Sequence, residues 1–248
     1  MRHILPLTLC GLLSLSACAA TQQQQPRPAG DKADASPAVR QAVSLLEQST
    51  RTLREMRRDD ASRMLDTAIA EARALIVLPG VYQAGFFYSV RGGSGVLVAR
   101  RADGGWGAPV FVGVAGAGYG YQVGLEKSRL VLAIMDEEML ARILDNGLNF
   151  DASAKFDVVG VREETSRGSL TEHKPVQAFT DGVGLMAGVA MHGGALTLNR
   201  SLTQSYHGAG KAEEIMRGVD APGLEVFAFW AALGVEAPGP EIVKVRKP

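Results

Sequence analysis

Cysteine is nearly absent. The 248 residues hold two, Cys10 and Cys18. None follows residue 18, so the rest of the chain can form no disulfide, CxxC redox pair or thiolate metal site. Net charge is missing too. The 26 basic side chains balance 26 acidic ones, and without a basic field nothing favours nucleic acid. Aromatics make up only 6%. No apolar run reaches the roughly 20 residues that a permanent membrane-spanning helix needs. Past the N-terminal segment, His173, His192 and His207 lack the HxH or HExxH spacing of a metal site, and none has an evident partner for general-base work. Ser94 does not stand in a Gly-x-Ser-x-Gly elbow with a strand before it and a helix after it. Glu137-Glu138 and Glu163-Glu164 are sequence neighbours whose side chains diverge on a helix or strand, so neither is an acid/base pair. Gly113, Gly116, Gly118, Gly120 and Gly124 do not spell GxGxxG and precede no clear phosphate-binding helix. These absences leave no case for an enzyme, and no cofactor is expected.

What is present begins at the N-terminus. Met1-Arg2-His3 precedes an apolar stretch, Ile4 to Leu15, of signal-peptide length. Leu15-Ser16-Ala17-Cys18 then resembles the lipobox of bacterial lipoproteins, in which small residues admit the peptidase and the Cys thiol takes a diacylglyceryl group. The expectation is a signal peptide over 1–17, lipidation at Cys18, and a flexible Gln- and Pro-rich tether over 18–37. Several acyl chains, at about 0.8 kcal/mol per buried CH₂, hold far more firmly than one. Ala19, rather than Asp, follows the Cys. In a Gram-negative cell that resemblance implies the inner leaflet of the outer membrane, with the domain facing the periplasm.

The remainder, 38–234, is long enough for one large domain before a loose tail, 235–248. Val39, Val43, Leu46, Thr50 and Leu53 trace one apolar stripe on a helix over 38–58. Arg51, Arg54 and Arg58 trace a basic stripe beside it. This helix either packs on a sheet with its arginines solvated or lies on an anionic membrane. The commonness of solvated charged faces favours the first, and the three arginines are the candidate lipid contacts under the second. A second helix is expected over 60–76, ended by Pro79-Gly80. Five strands should follow: Gln83–Val90, Gly95–Arg100, Pro109–Val114, Tyr119–Leu125 and Arg129–Met135. Turns are expected at 91–94 and 102–105. Asp136 reads as the cap of a short helix that ends at Gly147. Further strands are expected at 152–161, 176–180, 185–192 and 195–199, with a polar loop over 162–174 and helices over 210–217 and 224–233. With no βαβ rhythm, the fold class is α+β: an antiparallel sheet, able to curl toward a barrel, flanked by N-terminal and C-terminal helices.

Six segments resemble the SYLF domain family, in family order: Val77–Phe86, Gly95–Arg100, Trp106–Phe111, Gly120–Gly124, Gly184–Ala190, and Asn199 with Tyr206-His207-Gly208. They run across about residues 60–217. Asp157–Val161 departs from the family's Gly-Pro-x-Gly-Arg segment, keeping only Arg162, and His207 replaces a Tyr. The resemblance implies lipid binding without catalysis. Its actin- and phosphoinositide-binding members are eukaryotic, so neither partner carries over to an exported bacterial chain. The expected partner is membrane lipid, with anionic phospholipid foremost. The alternative is an envelope interaction protein that binds another protein through its sheet edge or apolar surface.

Overall fold

The computed structural model describes residues 35–85, 88–119, 124–150, 156–161, 174–182, 194–218 and 223–234. All lie within one compact unit, Asp31–Pro248. Cys18 and most of the tether, residues 120–123, the 162–173 loop with His173, the Gly184–Ala190 segment, the 185–192 strand with His192 and the 235–248 tail lie outside the described residues.

Helix α1 (Pro37–Asp59) starts where its sequence provides a cap. The Ser36 hydroxyl accepts from the Val39 amide at 3.3 Å, and Pro37 supplies a preset φ at the first position. The Asp60 carboxylate then organises the turn, accepting from the amides of Ser62 at 3.1 Å and Leu65 at 2.7 Å. Helix α2 (Met64–Glu71) is shorter than expected. Leu75 and Ile76 belong instead to strand β1 (Ala74–Gly85). Ala74–Val81 is buried throughout. A continuous apolar run fits a strand covered on both faces as well as it fits a helix, and periodicity cannot separate the two.

The sheet is formed by β1, β2 (Tyr88–Ala99), β3 (Val110–Tyr119), β4 (Gly124–Ile134), β5 (Leu148–Phe150), β6 (Phe156–Gly160), β7 (Val176–Thr180) and β8 (Gly194–Leu198). Their spatial order is β5-β8-β3-β2-β1-β4-β7-β6. All pairs are antiparallel except β6 with β7. The fold is α+β, a mostly antiparallel half-barrel with helices at both ends of the chain. Helix α3 (Glu137–Asn146) follows β4, and the Asp136 side chain accepts from the Glu138 amide at 2.8 Å as its cap. Helices α4 (Arg200–His207), α5 (Ala212–Arg217) and α6 (Leu224–Ala232) close the described chain.

Both faces of the sheet are covered at one end of its strands. Leu75, Val77, Val96, Val98, Phe111 and Val131 pack with α1, α2, α4 and α6. Ile76, Leu78, Leu97, Val112 and Leu132 pack with Leu140 and Ile143 of α3 and Met216 of α5. The other end of β1–β4 runs past these helices. A bulge at Leu78–Val81 marks the change, since β1 gains a residue against both neighbours there. Four long strands therefore replace the five short ones expected. The turn expected at Arg91–Ser94 is strand interior. A Cβ on Gly93 would lie 2.6 Å from the Gly80 carbonyl oxygen, and one on Gly95 would lie 2.3 Å from that of Val77. These glycines admit the bulged neighbour at close range, which is the other use of glycine inside a sheet.

Candidate membrane interface

Helix α1 carries the three arginines named from the sequence. Its apolar stripe is not available to a membrane, because Leu46, Leu53 and Met56 are fully buried against the sheet. Arg51, Arg54 and Arg58 are exposed. The structure brings Arg54 and Arg58 together with Arg57 and Arg63, in a shallow groove of about 270 Å³ that Ala231 and Ala232 of α6 complete. Arg51 does not line it.

The groove is ordered by specific contacts. Arg54 Nη2 donates to the Ala228 carbonyl at 3.1 Å, and Arg57 Nη1 donates to that of Ala232. Carbonyls at a helix C-terminus are natural acceptors for such cations. Asp66 takes Arg57 Nε at 2.6 Å and Arg63 Nη1 at 2.7 Å. Burial raises the Asp66 pKa, but the two guanidiniums outweigh it and hold the carboxyl below its ordinary value. Arg58 reaches Asp59 at 3.5 Å with most of its side chain in water. Four cations thus face two carboxylates, and the groove keeps a positive surplus. Arg57 and Arg63 were not singled out from the sequence. Arg57 follows the periodicity of α1, but Arg63 joins only through the turn at Asp60.

Beyond the bulge, no helix among the described residues covers the α1 side of the sheet. Strand register places Leu125, Ala84, Val90 and Ala117 in one cross-strand row over β4, β1, β2 and β3, with Lys127, Tyr82, Gly92 and Ala115 in the next. Tyr88 stands on the same face, one row further out. Tyr88 is 80% exposed, Leu125 77% and Val90 64%. Lys127 Nζ lies 5.4 Å from the centre of the half-exposed Tyr82 ring, with its cation at the margin of the apolar patch. Further along β4, Arg129 ties the sheet to α1 through Glu55 and Asp59. The patch therefore starts where α1 stops.

Several residues in the family-like segments serve structure. Arg100 Cζ sits 4.3 Å above the Trp106 ring, and its guanidinium donates to the carbonyls of Ile69 and Ala72. Asn199 caps α4, its side chain accepting from the Leu202 amide at 3.0 Å. Tyr206 donates to Glu225 at 2.8 Å, and His207 Nε2 donates to the Pro109 carbonyl at 2.6 Å. Among the described residues, no three His, Cys, Asp or Glu side chains gather as a metal site. None of the described helices is long and apolar enough to cross a membrane.

Comparison with known proteins now bears on this arrangement. Residues 115–235 match the family Ysc84, described as Las17-binding protein actin regulator. This stretch is similar to the Ysc84/SYLF domain family. The chain is 34% identical over 155 residues to SH3 domain-containing YSC84-like protein 1 of Xenopus laevis, covering 60% of this chain and 46% of the relative. Against the Homo sapiens protein of the same name, identity is 34% over 142 residues, or 56% of this chain and 41% of the relative. Against Protein YSC84 of Saccharomyces cerevisiae it is 33% over 144 residues, 56% of this chain and 31% of the relative. The chain therefore spans less than half the length of these curated relatives. No solved structure matches it.

Proposed function

We propose that this chain is a lipid-anchored protein of a bacterial envelope whose Ysc84/SYLF-type domain rests, without catalysis, on an anionic membrane surface. The observation that carries this reading is the bare strand end. Tyr88, Val90 and Leu125 are exposed together on one face, with Lys127 at their margin and the arginine groove on the same side of the sheet. Apolar side chains that enter the interface beside cations that meet anionic head groups make up the usual chemistry of peripheral membrane contact. The lipobox-like Leu15-Ser16-Ala17-Cys18 supports attachment through Cys18. In a Gram-negative cell, Ala19 supports the outer membrane, inner leaflet. The contact surface moves from the apolar stripe of α1 to the strand end, while Arg54 and Arg58 keep the supporting role.

The test is vesicle co-sedimentation of residues 18–248 carrying Cys18→Ser, a chain without the apolar N-terminal segment and without the acyl anchor. Binding is expected to vesicles containing phosphatidylglycerol and to weaken in high salt. Replacing Tyr88, Val90 and Leu125 together by Ser removes about 3 kcal/mol of apolar transfer at roughly 1 kcal/mol each, and should cut binding by about a hundredfold. Arg54→Ala with Arg58→Ala should cost about 1 kcal/mol per charge and flatten the salt dependence. Equal binding by all variants would refute the surface named here. No binding by the Cys18→Ser chain would leave the anchor as the sole membrane contact and turn the bare patch into a protein-docking surface. Metabolic labelling with palmitate, lost in Cys18→Ser, tests the anchor itself.

A further inference from the structure

The opposite face of the same strand end holds a charge that the membrane reading does not use. Arg91 of β2 is only 8% exposed. Its Nε and Nη1 are buried with no hydrogen-bond acceptor. Register gives its surroundings on that face: Ser89 and Gly93 along the strand, Gln83 across on β1, Gly116 across on β3, and Gly194 of β8 beyond Gly116. Gln83 and Ser89 are buried with it. The three glycines put no side chain beside the guanidinium.

Partly buried arginines show how this fold ordinarily satisfies such a group. Arg129 has Asp181, Glu55 and Asp59. Arg100 has the carbonyls of α2 and the turn after it. Arg101 leaves Nε unmatched but pairs with Asp103 at 2.6 Å. Arg91 has none of these. Glu126 shares its face but lies two strands away beyond Gln83, accepting from the Ser128 hydroxyl at 3.0 Å. Burial lowers the Arg91 pKa, and among the described residues no neighbouring carboxylate opposes it. A guanidinium cannot relieve that burial by losing its proton near neutral pH. An uncompensated buried charge is strongly destabilising, so a compensating anion is the expected occupant.

We propose that the face opposite α1, at the glycine-rich end of the half-barrel, binds an oxyanion of the phosphate class through Arg91, with the Gln83 amide as a further donor. A tetrahedral oxyanion accepts several hydrogen bonds at once and suits donors that converge from two strands. Two sources share this chemistry, the head group of a phospholipid and free phosphate. The site is on the other side of the sheet from the membrane surface proposed above and does not rest on that reading.

The experiment is thermal unfolding of residues 18–248 carrying Cys18→Ser, titrated with inorganic phosphate against potassium chloride at equal ionic strength, and separately with dihexanoyl-phosphatidylglycerol below its micelle concentration. The midpoint should rise with phosphate but not with chloride, because ligand binding to the folded state alone stabilises it. Arg91→Met should abolish the rise. Arg54→Ala with Arg58→Ala should leave it intact, which separates this site from the groove. If the short-chain lipid acts at a concentration tenfold or more below phosphate, the source is a lipid head. If phosphate acts at the same or a lower concentration, it is the free anion. A direct reading does not depend on Arg91→Met folding: the Arg91 Nε–H resonance, assigned by its absence in Arg91→Lys, should shift as phosphate is added. No midpoint rise over chloride, a rise that survives Arg91→Met, or an unmoved Nε–H resonance would overturn the proposal. Loss of vesicle binding in the Tyr88, Val90 and Leu125 variant with the phosphate response kept would show the two sites to be separate.

Discussion

Arg129 is where the fold couples its N-terminal helix to the sheet, and its removal makes a graded prediction. Its side chain is 15% exposed and faces three carboxylates. Asp181, itself 14% exposed, takes Arg129 Nε at 2.6 Å and also accepts the Arg129 backbone amide at 2.7 Å. Glu55 of α1 takes Nη1 at 2.7 Å but is 46% exposed, and Asp59 lies at 3.4 Å. Breaking a buried pair costs about 3–5 kcal/mol because the surviving charge is stranded, whereas exposed pairs are worth about 0–1 kcal/mol. The Asp181 arm should therefore supply most of the effect and Glu55 little. Arg129→Met is expected to cost about 3 kcal/mol. For a domain of this size that corresponds to roughly 6–12 °C in melting midpoint. Urea denaturation of Arg129→Met, Asp181→Ala, Glu55→Ala and the two doubles gives the couplings directly. The expected values are about 2 kcal/mol for Arg129 with Asp181 and under about 1 kcal/mol for Arg129 with Glu55. Zero coupling to Asp181, or a larger coupling to Glu55, would refute the reasoning.

Two further perturbations follow from packing and titration. Gly107→Ala should prevent folding or cost well over about 3 kcal/mol, read by soluble yield and circular dichroism, because the new Cβ would lie 1.5 Å from the Met216 carbonyl oxygen. Burial first, and then its bond to Glu225, push the Tyr206 phenol far above its ordinary value of 10.0. The unfolded chain then loses this proton first as pH rises. The stability tied to Tyr206 is therefore complete below about pH 10 and falls above it. Tyr206→Phe should cost about 1–3 kcal/mol at neutral pH, by leaving the buried Glu225 without its donor, and should remove that part of the alkaline loss seen in denaturation at pH 8 and pH 11.

The fold class was legible because local signals agreed. Ser36-Pro37 starts α1, Asp136 caps α3, and Val176–Thr180 reads as a strand and is one. The strand limits were not legible, for a physical reason. Glycine has two uses in a sheet, to turn the chain and to admit a neighbouring backbone, and a sequence prints both alike. Gly104 turns the chain with φ 85°, whereas Gly93 and Gly95 lie flat beneath the β1 bulge. Helix α4 is not among the expected elements: Asn199 and Tyr206 stand in the family-like segments, and Asn199 is also an N-cap signal. The same ambiguity hid most of the candidate surface. Tyr88, Val90 and Leu125 alternate with Ser89, Arg91 and Glu126, a pattern that normally marks an apolar face turned to the core. Here the strands outrun the helices that should cover that face, so the apolar residues meet solvent while Arg91 is buried opposite them. Alternation reports two unlike faces but not which one is covered. At this end of the half-barrel the covering is inverted, and both surfaces assigned here follow from that inversion.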